Sequence, residues 1–271
     1  MENSAKANFV TFSGYAFGVK IAFRKSVPSY AAGFAFIIGR YLIAADLPPA
    51  TTQAGAAEAA TYLSDFCKAA RVKWPKNRTL TLVFHGHSVP AGYAKTPEVR
   101  PFDAYPQQLR VALNERFPFA VLNVITTAIG GEASDQGARR FERDVLPLRP
   151  DVVFIDYALN DRRIGPARAK VAWQNMIDQC KQHGIPVVLL TPTIDLRAKL
   201  PDAADPLNVL ADMIRDLAAV NHVGLVDSLA AFKTAIAAGT PPESLMAQSN
   251  HPNRAGHALV VPKLLQWFAV E

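Results

Sequence analysis

Four short segments of the chain carry the residue types that acyl-transfer chemistry needs. Gly86-His87-Ser88-Val89-Pro90 offers a hydroxyl, and Ala128-Ile129-Gly130-Gly131-Glu132 offers backbone N–H groups beside glycine. Ala158-Leu159-Asn160-Asp161 offers a neutral amide, and Asn250-His251-Pro252-Asn253 offers an imidazole. Acyl transfer requires a hydroxyl nucleophile, a base that takes its proton, and donors aimed at the oxygen on which negative charge develops. Ser88 fits the first role and His251 the second. The backbone N–H groups of Ser88 and Gly131 and the side-chain amide of Asn160 fit the third. Gly131 has no Cβ, so a ligand atom can approach its N–H closely.

Each segment alone has a plainer explanation. Ser88 is a favoured type of helix N-cap, the two glycines make a turn, and Asn160-Asp161 makes an Asx-turn. His251 is then an ordinary loop residue, and His257 a surface or packing histidine of the last helix. The weight comes from the four occurring together, and from where the surrounding pattern places them.

Short apolar runs rich in Val, Ile and Leu recur at 79–85, 121–125, 152–157, 187–190 and 223–226. Helical stretches lie between them, near 103–116, 135–146, 166–183 and 207–221, and a last helix follows Pro252 with an internal Pro262 that should kink or shorten it. Near-continuous apolar strands separated by helices predict a parallel sheet covered on both faces. Right-handed crossovers then favour an α/β, three-layer α/β/α fold with a doubly wound, flavodoxin-like sheet of about five strands. Ligands of such sheets bind beyond the carboxyl ends of the strands. The first three segments follow strands there, and the fourth precedes the last helix.

In this order the blocks resemble those of the SGNH (GDSL) hydrolase superfamily, named for its Ser, Gly, Asn and His. Gly86-His87-Ser88 resembles the Gly-Asp-Ser block, Ile129-Gly130-Gly131-Glu132 the glycine block, Leu159-Asn160-Asp161 the Gly-x-Asn-Asp block and His251-Pro252-Asn253 the Asp-x-x-His-Pro-Asn block. The resemblance runs from about residue 79 to 268 and leaves the first 75 residues uncovered. It implies serine-dependent hydrolysis of esters, or occasionally of other acyl compounds, without a cofactor. The expected substrates are small-molecule esters with short, acetyl-type acyl groups, carbohydrate esters among them.

Three departures stand out. His87 replaces the aspartate beside the nucleophile, and Ala158 replaces a glycine. Gln248 occupies the place of the acid three residues before the histidine. That acid normally fixes the imidazole tautomer and stabilises the imidazolium. Three sources of an orienting group are therefore open: the carbonyl of Gln248 or a backbone carbonyl, a different carboxylate in Glu243 or Asp227, or none. With no carboxylate, the His251 pKa is expected near or below the free value of about 6.5, with activity rising through mild acid. Substrate contacts are expected from His87, Tyr93, Asp161 and Arg162, with Arg163 and Arg197 nearby.

Other chemistries fit less well. Metal-assisted hydrolysis would draw on His85, His87, Asp161, His251 and His257, but no zinc-helix motif is present and that reading leaves Ser88 and Gly131 without a role. The α/β-hydrolase elbow GxSxG fails, because Pro90 stands where its second glycine should be. A non-catalytic ligand-binding version of the fold follows from the missing acid, and predicts binding without turnover.

The chain has 271 residues, 50% hydrophobic and 19% charged, with a formal charge of +6. The basic residues are scattered and no nucleic-acid motif accompanies them. Cys67 and Cys180 are far apart and read as two buried thiols. No apolar run reaches the roughly 20 residues a bilayer requires. No convincing signal peptide is found either, so the expected location is cytoplasmic. The organisation reads as a small β-rich appendage over 1–45, a linker and helix over 46–73, and the hydrolase domain over 74–271. The appendage rests on alternation at Phe9, Thr11, Ser13, Tyr15, Phe17, Val19, Ile21 and Phe23. Its apolar face is expected to pack back on the domain or to pair with a second copy.

Overall fold

A computed structural model describes residues 56–269 of the chain, all within one compact unit. The expected β appendage over 1–45 lies outside the described residues, as does the linker up to residue 55. Two short helices come first, α1 (Ala59–Tyr62) and α2 (Ser64–Ala70). They stand where one helix is expected within 46–73. Leu63, Phe66, Cys67 and Ala70 are buried in the main core together with residues beyond 74.

Strand β1 (Thr79–Gly86) is buried from Leu80 onward. It lies at the inside of a five-stranded parallel sheet with β2 (Val121–Thr126), β3 (Val152–Asp156), β4 (Val187–Leu190) and β5 (Gly224–Val226). The strand order is β2-β1-β3-β4-β5, with Phe84 beside Phe154 and Gly86 beside Asp156. The sheet reverses direction of growth between β2 and β3, so the ends of β1 and β3 border the crevice where a doubly wound fold binds its ligand.

Alternation along the strands sends residues to two separate cores. Leu80, Leu82, Phe84, Val152 and Phe154 face one side, packed by α2, α4 (Tyr105–Arg116), α9 (Ser228–Ala237) and α10 (Arg254–Leu265). Val83, Val153, Ile155 and Leu189 face the other, packed by α5 (Ser134–Asp144), α7 (Pro166–Gln182) and α8 (Pro206–Asn221). This is the expected three-layer arrangement. The edge strand β2 exposes Val121, Asn123 and Thr126.

Two single-turn helices, α3 (Ser88–Ala91) and α6 (Ala158–Asp161), open directly from the ends of β1 and β3. A small antiparallel pair, β6 (Met246–Gln248) and β7 (His251–Pro252), precedes α10. Helix α10 runs through Pro262 to Leu265. The carbonyl that Pro262 leaves without an N–H belongs to Ala258, which is exposed and can be hydrated. Cys67 and Cys180 are both buried and form no disulfide. Among the described residues no helix is long and apolar enough to cross a membrane.

Candidate active site

Strand β1 ends at Gly86, where a Cβ would lie 2.4 Å from the carbonyl oxygen of Asp156 and 2.8 Å from Pro90 Cγ. Only glycine allows the two strands and the following turn to meet there. His87 then caps α3, its Nδ1 accepting from the Val89 N–H at 3.1 Å. This places Ser88 at the first helical position, nearly buried at 5% exposure. Ser88 Oγ lies 2.9 Å from Nε2 of His251, which β7 presents from the far end of the chain.

The other two blocks are tied to this one and to each other. The Ile129 N–H donates to the carbonyl of Gly86 at 3.0 Å. Asn160 Nδ2 donates to the carbonyl of Glu132 at 2.9 Å, which uses one of its two N–H groups and leaves the second. The Ser134 N–H donates to Asp161 Oδ1 at 2.8 Å. Gly131 has φ +78°, and a Cβ there would meet nothing within 4 Å. Its flank is therefore open to a ligand atom, and the glycine is needed for its backbone angle. The Arg163 guanidinium donates to the Gly131 carbonyl.

His251 Nδ1 has two neighbours, the carbonyl of Ala94 at 3.0 Å and Nε2 of Gln248 at 2.8 Å. The Gln248 oxygen faces away and accepts from the Thr96 N–H at 3.0 Å. Burial holds the His251 pKa below its ordinary value, against the hydrogen bond to Ala94 that raises it, and the nearby His87 lowers it further.

The two alternative carboxylates do not reach the histidine. Glu243 is exposed on the turn Pro242–Leu245. Asp227 caps α9 through the Ala230 N–H, accepts from Thr191, and receives two nitrogens of Arg215. Its cap role also reveals α9, a helix that the sequence reading passed over.

Three residues expected to contact substrate are engaged within the protein, two of them fully buried. His87 is fully buried, with Nε2 3.4 Å from Asp156 Oδ1. Asp161 is fully buried, its carboxylate also receiving Trp173 Nε1 at 2.7 Å. Arg162 turns to the Leu159 carbonyl and to Asp195 on the loop after β4. Arg197 grips the same carboxylate. Burial alone would raise the Asp195 pKa, but these arginine bonds outweigh it and bring it to about 2. Tyr93 does stand at the site, its ring 5.9 Å from that of His251 and so close to Gly130 that a Cβ there would lie 2.8 Å from the phenol oxygen.

His85, a candidate metal ligand by residue type, is held by other partners. His85 bonds Thr127 Oγ1 at 2.9 Å and the Gly137 carbonyl at 3.2 Å. Among the described residues no three His, Cys, Asp or Glu side chains gather to hold an ion.

Two features escaped the sequence reading. One is the Ala94 carbonyl, which carries no side-chain signal. The other is Glu132, whose carboxylate lies in a buried network with Arg140 Nε at 2.9 Å and Tyr157 Oη at 3.0 Å. Its signal was the glutamate directly after Gly130-Gly131.

A parallel five-stranded α/β/α sheet with serine, glycine, asparagine and histidine blocks at one end defines the SGNH class of hydrolase fold. The chain belongs to the GDSL-like lipase/acylhydrolase family, whose model matches residues 84–259. The likeness extends to solved structures. A two-domain esterase (CEX) active on acetylated mannans shares 21% identity at a TM-score of 0.61, over 76% of this chain and 52% of that one. Axe2, an acetylxylan esterase from Geobacillus stearothermophilus, shares 21% at a TM-score of 0.60, over 71% and 95%. LAE5, an alpha/beta hydrolase enzyme from the metagenome of Lake Arreo, Spain, shares 23% at 0.59, over 70% and 97%. These are likenesses of fold. In sequence, the uncharacterized lipoprotein YqeF of Bacillus subtilis (strain 168) is 28% identical over 78 residues, 26% of this chain and 32% of that protein. The chain thus spans about a third of this relative and about half of the two-domain esterase.

Proposed function

We propose that this protein is a serine ester hydrolase that removes short acyl groups by a Ser88–His251 dyad. The observation that carries the reading is the pairing at both nitrogens of one ring: Nε2 at 2.9 Å from Ser88 Oγ and Nδ1 at 3.0 Å from the Ala94 carbonyl. A carbonyl accepts only from a protonated Nδ1, and that tautomer leaves Nε2 free to take the serine proton. A backbone carbonyl therefore supplies the orientation that a triad carboxylate would supply, without its charge.

In the reaction, Ser88 Oγ attacks the ester carbonyl while its proton passes to His251 Nε2. The N–H groups of Ser88 and Gly131 and the second N–H of Asn160 stabilise the tetrahedral oxyanion. His251 returns the proton to the departing alcohol, leaving an acyl-serine. Water, deprotonated by the same nitrogen, then releases the acid and restores the serine. The substrate class we favour is the acetyl ester of a carbohydrate. Two structural neighbours are described as esterases of acetylated mannans and acetylxylan, and Tyr93 narrows the space beside Gly130.

Hydrolysis of p-nitrophenyl acetate and of acetylated xylo- and manno-oligosaccharides, by the wild type beside Ser88→Ala, tests this. The expected result is turnover that the substitution abolishes and that a serine-directed phosphonate blocks by labelling Ser88. Equal turnover by both proteins would overturn it, and binding without turnover would assign the non-catalytic reading instead.

A further inference from the structure

Residues 92–100 form a narrow hairpin. Tyr93 bridges Val99, the Ala94 N–H donates to the Glu98 carbonyl at 3.0 Å, and the Arg100 N–H donates to the Gly92 carbonyl at 2.7 Å. Ala94, directly before its turn, carries the carbonyl that meets His251. Among the described residues, three hydrogen bonds join residues 94–98 to the domain outside the hairpin. One runs from Ala94 to His251, and two run from the Thr96 N–H and hydroxyl to Gln248 Oε1, at 3.0 and 3.2 Å.

A backbone N–H cannot act as an acceptor, so Thr96 fixes which end of the Gln248 amide faces it. The NH2 end must then face the imidazole. It lies 2.8 Å from His251 Nδ1 and also donates to Asn250 Oδ1 at 3.1 Å. Nδ1 is therefore contested. The Ala94 carbonyl favours the tautomer with a proton on Nδ1, which is the productive one. The Gln248 NH2 favours the tautomer with Nδ1 bare, in which Nε2 carries the proton and cannot take another from Ser88. An imidazolium, protonated at both nitrogens, meets the Gln248 donor head-on.

We propose that Gln248 is a positioning residue that sets the strength of the base: its oxygen pins the hairpin that brings the Ala94 carbonyl to Nδ1, and its NH2 turns a donor onto the same nitrogen where a triad carboxylate would turn an acceptor. The proposal rests on the dyad reading above. It makes the departure at residue 248 a working part of the site. The consequence is a weak base that stays neutral into mild acid, the fraction bonded to the Ala94 carbonyl being the competent tautomer. The other titratable groups beside the ring are His87, paired with Asp156, the Tyr93 phenol, and His257 on α10, and the adjoining pocket adds Lys95, Glu98, Arg100, Asp103 and Arg254. None of them is a hydrogen-bond partner of His251.

The test is Gln248→Glu, in which one oxygen keeps the Thr96 N–H and the other accepts from Nδ1. An anion at this distance favours the imidazolium by about 1–3 pKa units. The acid limb of kcat/KM for p-nitrophenyl acetate should therefore move upward by about one unit or more, with KM little changed. A 13C NMR titration of the labelled His251 ring, assigned by difference from His251→Asn, should show the same shift without reference to activity. Gln248→Met keeps the length of the side chain and removes both amide functions. It frees Nδ1 of the competing donor but also releases the hairpin that holds the Ala94 acceptor. The loss of that orientation outweighs the gain and should lower kcat about tenfold, the effect of about 1.4 kcal/mol lost in the transition state, while KM stays near wild type.

An acid limb and ring titration that stay in place or move downward in Gln248→Glu would overturn the proposal. Wild-type kcat in Gln248→Met would do the same. In either case Ser88→Ala remains inactive, whereas failure of the dyad reading itself shows as activity retained in Ser88→Ala.

Discussion

Glu132→Ala probes the support beneath the oxyanion donors. The Glu132 carboxylate is 9% exposed and the Arg140 side chain 8%. Glu132 receives Arg140 Nε and Nη2, and it also receives the phenol of Tyr157, whose pKa burial pushes upward. Removing one partner of a buried pair costs about 3–5 kcal/mol, because the other charge is left without compensation. Arg140 would retain Tyr157 Oη at 3.0 Å and Asp144 Oδ2 at 3.3 Å, which places the loss at the lower end, about 3 kcal/mol. For a domain of this size that lowers Tm by about 6–12 °C. Urea denaturation followed by circular dichroism measures it, with an unchanged m-value showing that two-state behaviour holds. The double variant Glu132→Leu with Arg140→Met removes both charges and should recover most of the loss. Activity carries a second readout. The Glu132 carbonyl holds Asn160, so a shift of this segment should lower kcat well below the melting temperature. A loss under about 1 kcal/mol would refute the reasoning, as would a double variant less stable than Glu132→Ala.

Asn160→Ala removes one oxyanion donor and should lower kcat by about 10²–10³ with KM within a few-fold, measured with p-nitrophenyl acetate; a loss confined to KM would count against the assignment. Tyr93→Ala opens the space beside Gly130, so kcat/KM for a hexanoate ester relative to acetate should rise about tenfold or more, and an unchanged ratio would remove Tyr93 from the acyl pocket. Burial brings the pKa of both His85 and His257 down to about 3. Their folded-state values lie below the unfolded value of about 6.5, so the unfolded chain binds more protons between these limits and stability falls as pH drops from about 6.5 toward 3. Each contributes on the order of a few kcal/mol to this loss. Urea midpoints at pH 7 and pH 4.5 should differ clearly, and Asn in place of His257 should reduce the difference.

The layers, the sheet and the ends of its strands were legible because each depends on local pattern. Buried parallel strands must be apolar along their length, and the runs at 79–85, 152–157 and 187–190 stand out for that reason. Core membership of α1 and α2 was harder. Ala57 to Val72 is rich in alanine, and what assigns it to the domain is the set of partners that Leu63 and Phe66 meet on one face of the sheet. Helix α9 was missed although Asp227 is its N-cap. The same aspartate also looked like a candidate acid, and only the bonds to Arg215 and Thr191 decide between the two.

At the site, residue type indicated chemistry but not direction. His87, Asp161 and Arg162 lie beside functional positions in the chain, yet each commits its side chain to bonds within the protein: His87 to the Val89 N–H, Asp161 to the Ser134 N–H and Trp173, Arg162 to the Leu159 carbonyl and Asp195. Adjacency in a turn alternates between facing a ligand and supporting the residue that does, and sequence spacing alone does not separate the two. The orienting group of His251 was hidden for a deeper reason. Every residue carries a carbonyl, so Ala94 has nothing to distinguish it until the hairpin is folded and Gln248 holds it. A missing acid therefore says less about activity than about which part of the chain has taken over its geometric task. Here that task passes to a backbone atom 157 positions away. The charge of the acid is not replaced at all, and for that reason the pH limb of Gln248→Glu separates orientation from electrostatics at this histidine.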